Sequence, residues 1–330
     1  MITYKTDYKS ILVFSHDDLD GIFSAYAVKH MYDNNLENEQ WERNVKVNLC
    51  GYSEKYTLSW FKNEVNEFIK ETSAKEENPQ YEVYMLDYAI QPNEEMIKFK
   101  NFLDDLGIEF YWCDHHITAI ENLHHYNFKG FQNTRAAGCI NTWNFLHSNT
   151  ENGEISEEPP TAYKMANDFD LWHLESTAFS WEKQILPFSF FIQSLGIDIN
   201  NNSGNLVKTI KSFIDNPSII ESTVSTIGKS IYNYVMEQCK KNAGNVYESS
   251  FNGIPCLVIN SLGNNTYEFQ NHPKFSEADL LIRWSFDGKR YNYGIYTCKD
   301  EIDVGEICTK YFNGGGHRKS GGGNSDKLLV

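Results

Sequence analysis

Nowhere in this 330-residue chain does an apolar run approach the roughly 18 to 20 residues that cross a bilayer. The opening MITYKTDYKS also lacks the basic and then apolar pattern of a secretory signal. A soluble, cytoplasmic protein with no membrane partner is therefore expected. Cysteines are few: seven, odd in number, scattered and never in a C-x-x-C pair. That excludes a disulfide framework and a thiolate zinc site, and leaves reduced, buried thiols. Positive charge is also scarce, with 29 Lys and Arg against 45 Asp and Glu for a net charge of -16. Long nucleic acids bind largely through phosphate neutralisation, which such a surface opposes. If the substrate carries phosphates, a short one is favoured.

The 41% hydrophobic content suffices for ordinary cores, and 330 residues exceed what one core usually serves. Two domains joined by a linker follow: 1–200, a helical stretch 201–244, and 245–330. In the first, ILVFSH (11–16), VKVNLCGY (45–52), YEVYMLD (81–87) and IEFYWCD (108–114) have the length and residue types of strands. Segments 21–32, 57–71 and 93–106 between them carry apolar residues at helical spacing, the last after Pro92, a helix-start residue. Alternating strands and helices predict an α/β fold with a mostly parallel sheet covered on both faces. Helices are predicted at 138–147, 162–172 and 180–195, the last interrupted at Pro187. ENGEISEEPP (151–160) is an acidic surface loop, and 218–241 has the period of one long connecting helix. Beyond residue 245 the pattern turns to strands, with a hairpin at Asp287-Gly288 and a short helix at 304–312, a smaller α/β domain. There is no internal repeat.

Three predicted strands end in polar clusters: His16-Asp17-Asp18-Leu19-Asp20-Gly21, Asp87, and Asp114-His115-His116. In open parallel sheets the carboxyl ends of the strands carry the ligand site. The alternation His16-x-Asp18-x-Asp20 points side chains into one volume, and Gly21 permits a tight turn into the helix. Mixed carboxylate and imidazole ligands suit manganese, magnesium or iron. A carboxylate set between two cations can bridge them, and Asp87 is the candidate. Taken singly, each cluster is as easily a solvated turn or a helix cap. His124-His125 makes the contrast, being the same residue pair without matching carboxylates. At the far end, Gly314-Gly315-Gly316 can offer backbone N–H groups to an anion, with His317 and Arg318 as further donors. The second run, Gly321-Gly322-Gly323, is read as relief of crowding. Aromatic residues make up 15% of the chain and are assigned to cores, none being singled out for stacking.

SHDDLDGIFSA, MLDYA, CDHH, TRAAGCINTW and ANDFDLW resemble, in order, the motifs of the DHH phosphoesterase superfamily, and NGGGHRKSGGG resembles the glycine-rich signature of its DHH-associated C-terminal domain. That superfamily includes RecJ-type exonucleases, nano-RNA phosphodiesterases, cyclic-dinucleotide phosphodiesterases and family II pyrophosphatases. The resemblance implies two Mn2+ ions, with Mg2+ as a possible substitute. His16 and Asp18 would hold one, Asp20 and His115 the other, and Asp87 would bridge. The fourth motif offers Asp168 and Asp170, and its Asp-x-Trp spacing, similar to the short-oligonucleotide branch, selects Asp170. His116 would contact the scissile phosphate or assist the leaving group, and Asp114 would orient His115. Gly315, Gly316, His317 and Arg318 would hold substrate, whereas position 319, here Lys319, varies in the family.

The implied activity is hydrolysis of short single-stranded RNA or DNA to nucleoside 5'-monophosphates. The alternatives are a cyclic-dinucleotide phosphodiesterase, a 3'-phosphoadenosine 5'-phosphate phosphatase, or a non-enzymatic nucleic-acid-binding module. The oligomeric state stays open, a homodimer included.

Overall fold

The computed structural model describes residues 9–34, 45–51, 55–74, 79–148, 155–262, 266–316 and 318–330. Residues 1–8, Tyr52, Glu151–Glu154 of the acidic loop, and His317 lie outside the described residues. The chain forms two compact units, which meet in sequence between Ile231 and Tyr232.

The first unit is built on four parallel strands, β1 (Lys9–His16), β2 (Val45–Cys50), β3 (Gln80–Leu86) and β4 (Glu109–Cys113), in the order β2-β1-β3-β4. Helices α1 (Leu19–Asn34), α2 (Leu58–Ser73) and α3 (Glu94–Asp105) connect them. Strand period two divides the side chains between two cores. Ile11, Val13, Tyr84, Leu86 and Cys113 face one core, and Leu12, Phe14, Val83, Met85, Phe110 and Trp112 the other. This is why the strands are apolar on both sides and why helices cover both faces. α4 (Ile117–Leu123) follows β4, and residues 129–132 run along the free edge of β4, Lys129 and Phe131 accepting the N–H groups of Trp112 and Asp114. The sheet order reverses direction at β1, with β2 on one side and β3 on the other. That switch point opens a crevice at the carboxyl ends of β1 and β3.

α5 (Gly138–Leu146), α6 (Thr161–Asp170) and α7 (Leu186–Ser194) complete the helical layer. One expectation changes here. Residues 205–224 fall within the expected linker, yet α8 (Asn205–Asp215) and α9 (Ser218–Thr223) bury Leu206, Val207, Ile210, Phe213 and Ile220 in the core of the first unit. The long connecting helix expected over 218–241 is present, running without a break from Ser218 to Asn242 as α9 and α10 (Lys229–Asn242) joined by a π-helical turn, Val224–Gly228. There a Cβ on Gly228 would stand 2.7 Å from the Pro187 carbonyl oxygen, so close packing fixes the local path.

The second unit carries a six-stranded mixed sheet, β5 (Tyr247–Phe251), β6 (Ile254–Asn260), β7 (Leu280–Phe286), β8 (Tyr291–Tyr296), β9 (Gly315–Gly316) and β10 (Ser320–Ser325), in the order β5-β6-β7-β8-β10-β9. Helices α11 (Tyr267–Gln270) and α12 (Val304–Tyr311) belong to it. The β7–β8 hairpin turns at Asp287, whose Oδ1 accepts the N–H groups of Lys289 and Arg290, with Gly288 at φ +95°. Among the described residues no helix is long and apolar enough to cross a membrane.

Candidate metal centre

His16 is the last residue of β1, and Asp18 caps α1 by accepting the N–H of Gly21 at 2.9 Å. The Gly21 requirement is steric: a Cβ there would fall 2.1 Å from the His16 carbonyl oxygen. The second carboxylate oxygen, Asp18 Oδ2, lies 2.9 Å from His16 Nδ1. Asp87 leaves β3 at φ +50°, a left-handed conformation uncommon outside glycine and enriched at functional positions. Its N–H donates to the Cys113 carbonyl at 2.8 Å, fixing the turn against β4.

These strand ends bring the ligand atoms together. His115 Nε2 stands 3.2 Å from Asp87 Oδ1, 3.4 Å from Asp170 Oδ2 and 3.7 Å from Asp20 Oδ2. His16 Nδ1 lies 3.7 Å from Asp87 Oδ2, and His116 Nδ1 the same distance from Asp87 Oδ1. Three groups result, His16 with Asp18 and Asp87, Asp20 with His115 and Asp170, and Asp87 with His115 and His116, each with ligand atoms within 4.8 Å of one another. Asp20 (0% exposed), Asp87 (1%) and His115 (5%) are buried. Neither oxygen of Asp87, nor Asp170 Oδ2, accepts a hydrogen bond. Buried carboxylates ordinarily find donors. Here several are held together with imidazole nitrogens beyond good hydrogen-bond geometry, an arrangement that fits divalent cations.

The electrostatics agree. Burial raises Asp20 well above the usual carboxylate range, and the charges of Asp87 and Asp170 push it further. Burial likewise lifts Asp170, to about 7, against the pull of His115. For His115 burial favours the neutral ring, but Asp87, Asp170 and Asp20 outweigh it and hold the imidazole up to about 11. Asp87 is the exception: burial opposes its charge, yet His115 and His16 keep it well below the ordinary range. A cation would relieve this crowding of negative charge.

Asp114 has a different place from the one expected. Its Oδ1 lies 2.7 Å from His116 Nδ1 and accepts the N–H groups of His115 and His116, so it orients the His116 ring rather than that of His115. Side chains two apart leave an extended chain on the same side, and the one between points away. Asp170 stands in the cluster, whereas Asp168 pairs with His173 Nδ1 at 3.0 Å.

The motif TRAAGCINTW contains a contact that sequence spacing does not disclose. The N–H groups of Gly138 and Cys139, at the start of α5, donate to Asp20 at 2.6 and 2.8 Å. A helix N-terminus thus holds a carboxylate of the candidate centre. A Cβ on Gly138 would stand 2.7 Å from Asp87 Cβ and 3.0 Å from Asp20 Oδ2. The one available signal is a glycine after a run of small residues. Asn141 secures the same loop, its Nδ2 reaching the carbonyls of Asp114, Asn133 and Ala136.

In the second unit, Gly315 and Gly316 pair with Gly322 and Gly321 as strand β9, so these residues form a ladder rather than an open loop. Arg318 donates from Nη2 to the Asp300 carbonyl at 2.7 Å, and Lys319 reaches the Asp300 carboxylate at the same distance. The second glycine run is crowded: a Cβ on Gly323 would fall 2.2 Å from the Phe312 carbonyl oxygen.

No protein-family model and no curated protein sequence matches the chain. Among solved structures, the DHH domain of a member of a ribosomal-protein family shares 14% identity over 95% of this chain and 82% of its own, with a TM-score of 0.60. RecJ from Thermus thermophilus, solved with Mn2+, shares 12% identity over 98% of this chain and 50% of its own, at a TM-score of 0.49. An exopolyphosphatase-related protein from Bacteroides fragilis shares 12% over 98% and 89%, at 0.48.

Proposed function

Given that the chain has the fold of a DHH domain, we propose that it is a divalent-metal-dependent phosphodiesterase that hydrolyses short single-stranded oligonucleotides to nucleoside 5'-monophosphates. The observation that carries this reading is Asp87: a buried carboxylate at the sheet's switch point, its oxygens faced by imidazole nitrogens at 3.2 and 3.7 Å but in no well-formed hydrogen bond, and shared by two groups of metal-type ligands. His16 and Asp18 would hold one ion, Asp20, His115 and Asp170 the other, with Asp87 common to both. Oxygen and imidazole donors suit Mn2+, with Mg2+ as a substitute. When bound, such a pair supplies Lewis acidity toward a phosphoryl oxygen and a water nucleophile at neutral pH.

The chain's own residues do the positioning. Asp20 is fixed by the α5 N-terminus, and Asp87 by its turn onto β4. Burial favours the neutral His116 ring, but Asp114 outweighs it and shifts the imidazole upward toward its protonated form. In its protonated form the ring is suited to bind a non-bridging phosphate oxygen or to give its proton to the departing oxygen. Residues Gly315, Gly316, His317 and Arg318 are proposed as contacts to the substrate end. The low share of basic residues supports a short substrate over a long one.

The test is incubation with end-labelled RNA of two to five nucleotides and Mn2+, beside a cyclic dinucleotide and 3'-phosphoadenosine 5'-phosphate. Metal-dependent release of mononucleotides from the linear substrates is expected. Folded protein that releases none would end the proposal, and preference for either other compound would reassign the substrate.

A further inference from the structure

Beside the carboxylate and imidazole cluster the first unit presents a large aromatic surface. Trp172 lies two residues beyond Asp170 and is 49% exposed. Its backbone sits at φ +52°, a conformation that is a genuine outlier for a bulky residue. Such strain persists only where surrounding contacts over-determine it, and it gathers at ligand-binding positions.

The contacts here are identifiable. The N–H of His173 donates to the Asp168 carbonyl at 2.9 Å, that of Leu174 to the Trp172 carbonyl at 2.8 Å, and His173 Nδ1 lies 3.0 Å from Asp168 Oδ1. The Trp172 indole is backed by Trp181, with ring centroids 5.7 Å apart, and Trp181 stacks on Phe169 at 5.9 Å with the planes 9° apart. Trp181 opens a π-helical turn, Trp181–Ile185, a feature frequent at functional sites. The helix that leads to Trp172 is tied to the metal-facing loop, because Asn167 Oδ1 accepts the N–H of Ala137 at 3.0 Å, one residue before Gly138.

Consecutive Cα atoms are about 3.8 Å apart, so the Cα of Trp172 is within about 7.6 Å of that of Asp170. That spacing is short enough for an indole on the cluster's side to meet the base of a nucleotide whose phosphate binds there. The geometry points to Trp172 as a stacking platform for the base of that nucleotide, and so to a substrate bearing a nucleobase rather than an inorganic polyphosphate. This rests on the phosphoesterase reading above. Stacking uses the π-face that every base has, so the platform favours no single sequence.

The measurement is calorimetric binding of 5'-AMP and of ribose 5-phosphate to the Mn2+-loaded full chain. They share the phosphate and sugar and differ by the base. Wild-type protein should bind 5'-AMP about 5- to 150-fold more tightly, the range expected for one stacked base. Trp172→Ala should bring the ratio close to one with ribose 5-phosphate affinity unchanged, and Trp172→Phe should keep the greater part of it. Trp172→Gly removes the ring while relieving the left-handed backbone, and should repeat the alanine result in a protein at least as stable. A preference for 5'-AMP that survives both ring deletions overturns the platform. So does Mn2+-dependent binding of both ligands with equal affinity in the wild type, which leaves the phosphoesterase reading standing. Failure to bind either ligand overturns both.

Discussion

Replacing Gly138 by alanine should damage the proposed metal centre without replacing a proposed ligand. The added Cβ would lie 2.7 Å from Asp87 Cβ and 3.1 Å from Asp87 Cα, atoms attached to backbone that cannot swing aside as a flexible side-chain end can. Overpacking of this kind costs about 1–3 kcal/mol, while alanine in place of a helical glycine recovers about 0.5–1 kcal/mol. The steric term wins, and a net loss of about 1–2 kcal/mol is expected. For a unit of this size each kcal/mol moves the melting temperature by about 2–4 °C, so the metal-free protein should melt about 2–8 °C lower. The larger effect falls on Mn2+. Asp20 and Asp87 both border the intruding methyl, and disturbing the groups that hold metal ligands typically costs about 10- to 100-fold in affinity. Scanning calorimetry and Mn2+ titration of the variant read the two quantities separately. An unchanged melting temperature together with unchanged Mn2+ affinity would refute the reasoning.

Metal binding should release protons, since His115 (about 11) and Asp170 (about 7) hold theirs in the metal-free protein and must give them up to coordinate. Release per ion should therefore be larger at pH 6 than at pH 8, where Asp170 is already ionised, and affinity should rise with pH; titration heats that do not depend on the buffer would contradict this. Asp114→Asn removes the charge that offsets burial at His116. It should lower kcat by about 10- to 100-fold and move the alkaline limb of the pH profile to lower pH, with Mn2+ affinity retained; an unaltered pH profile would count against the assignment. In the second unit, Arg283 and Glu268 form a buried ion pair. Glu268→Ala removes the charge that offsets the buried guanidinium and should cost about 3–5 kcal/mol in urea unfolding, and a loss below about 1 kcal/mol would show that the pair is not desolvated.

The parts of the fold that are legible in the sequence are those governed by local period. ILVFSH, YEVYMLD and IEFYWCD alternate between two cores, so their apolar runs and polar ends mark both the strands and the rim they share. Asp87 and His115 can be placed because each follows such a run. What is not legible depends on contacts distant in sequence. Asp20 is held by Gly138 and Cys139, 118 and 119 residues away, and no spacing rule links them. Asp114 is adjacent to His115 in sequence but meets the ring of His116 in space, because neighbours along an extended chain point apart. The segment 218–241 has a continuous apolar period and is continuous helix, but the π-helical turn within it at Val224–Gly228, where Gly228 packs on Pro187, is a detail that periodicity does not encode. α8 falls inside the expected linker because its attachment to the first unit depends on where Leu206, Ile210 and Phe213 are buried, and position along the chain does not carry that information.

The most direct measurement is anomalous diffraction at the manganese edge from crystals grown with Mn2+. Two peaks are predicted in the first unit, one contacted by His16 and Asp18, the other by Asp20, His115 and Asp170, with Asp87 reaching both. A single peak that leaves out Asp87, or peaks only at surface carboxylates, would contradict the account.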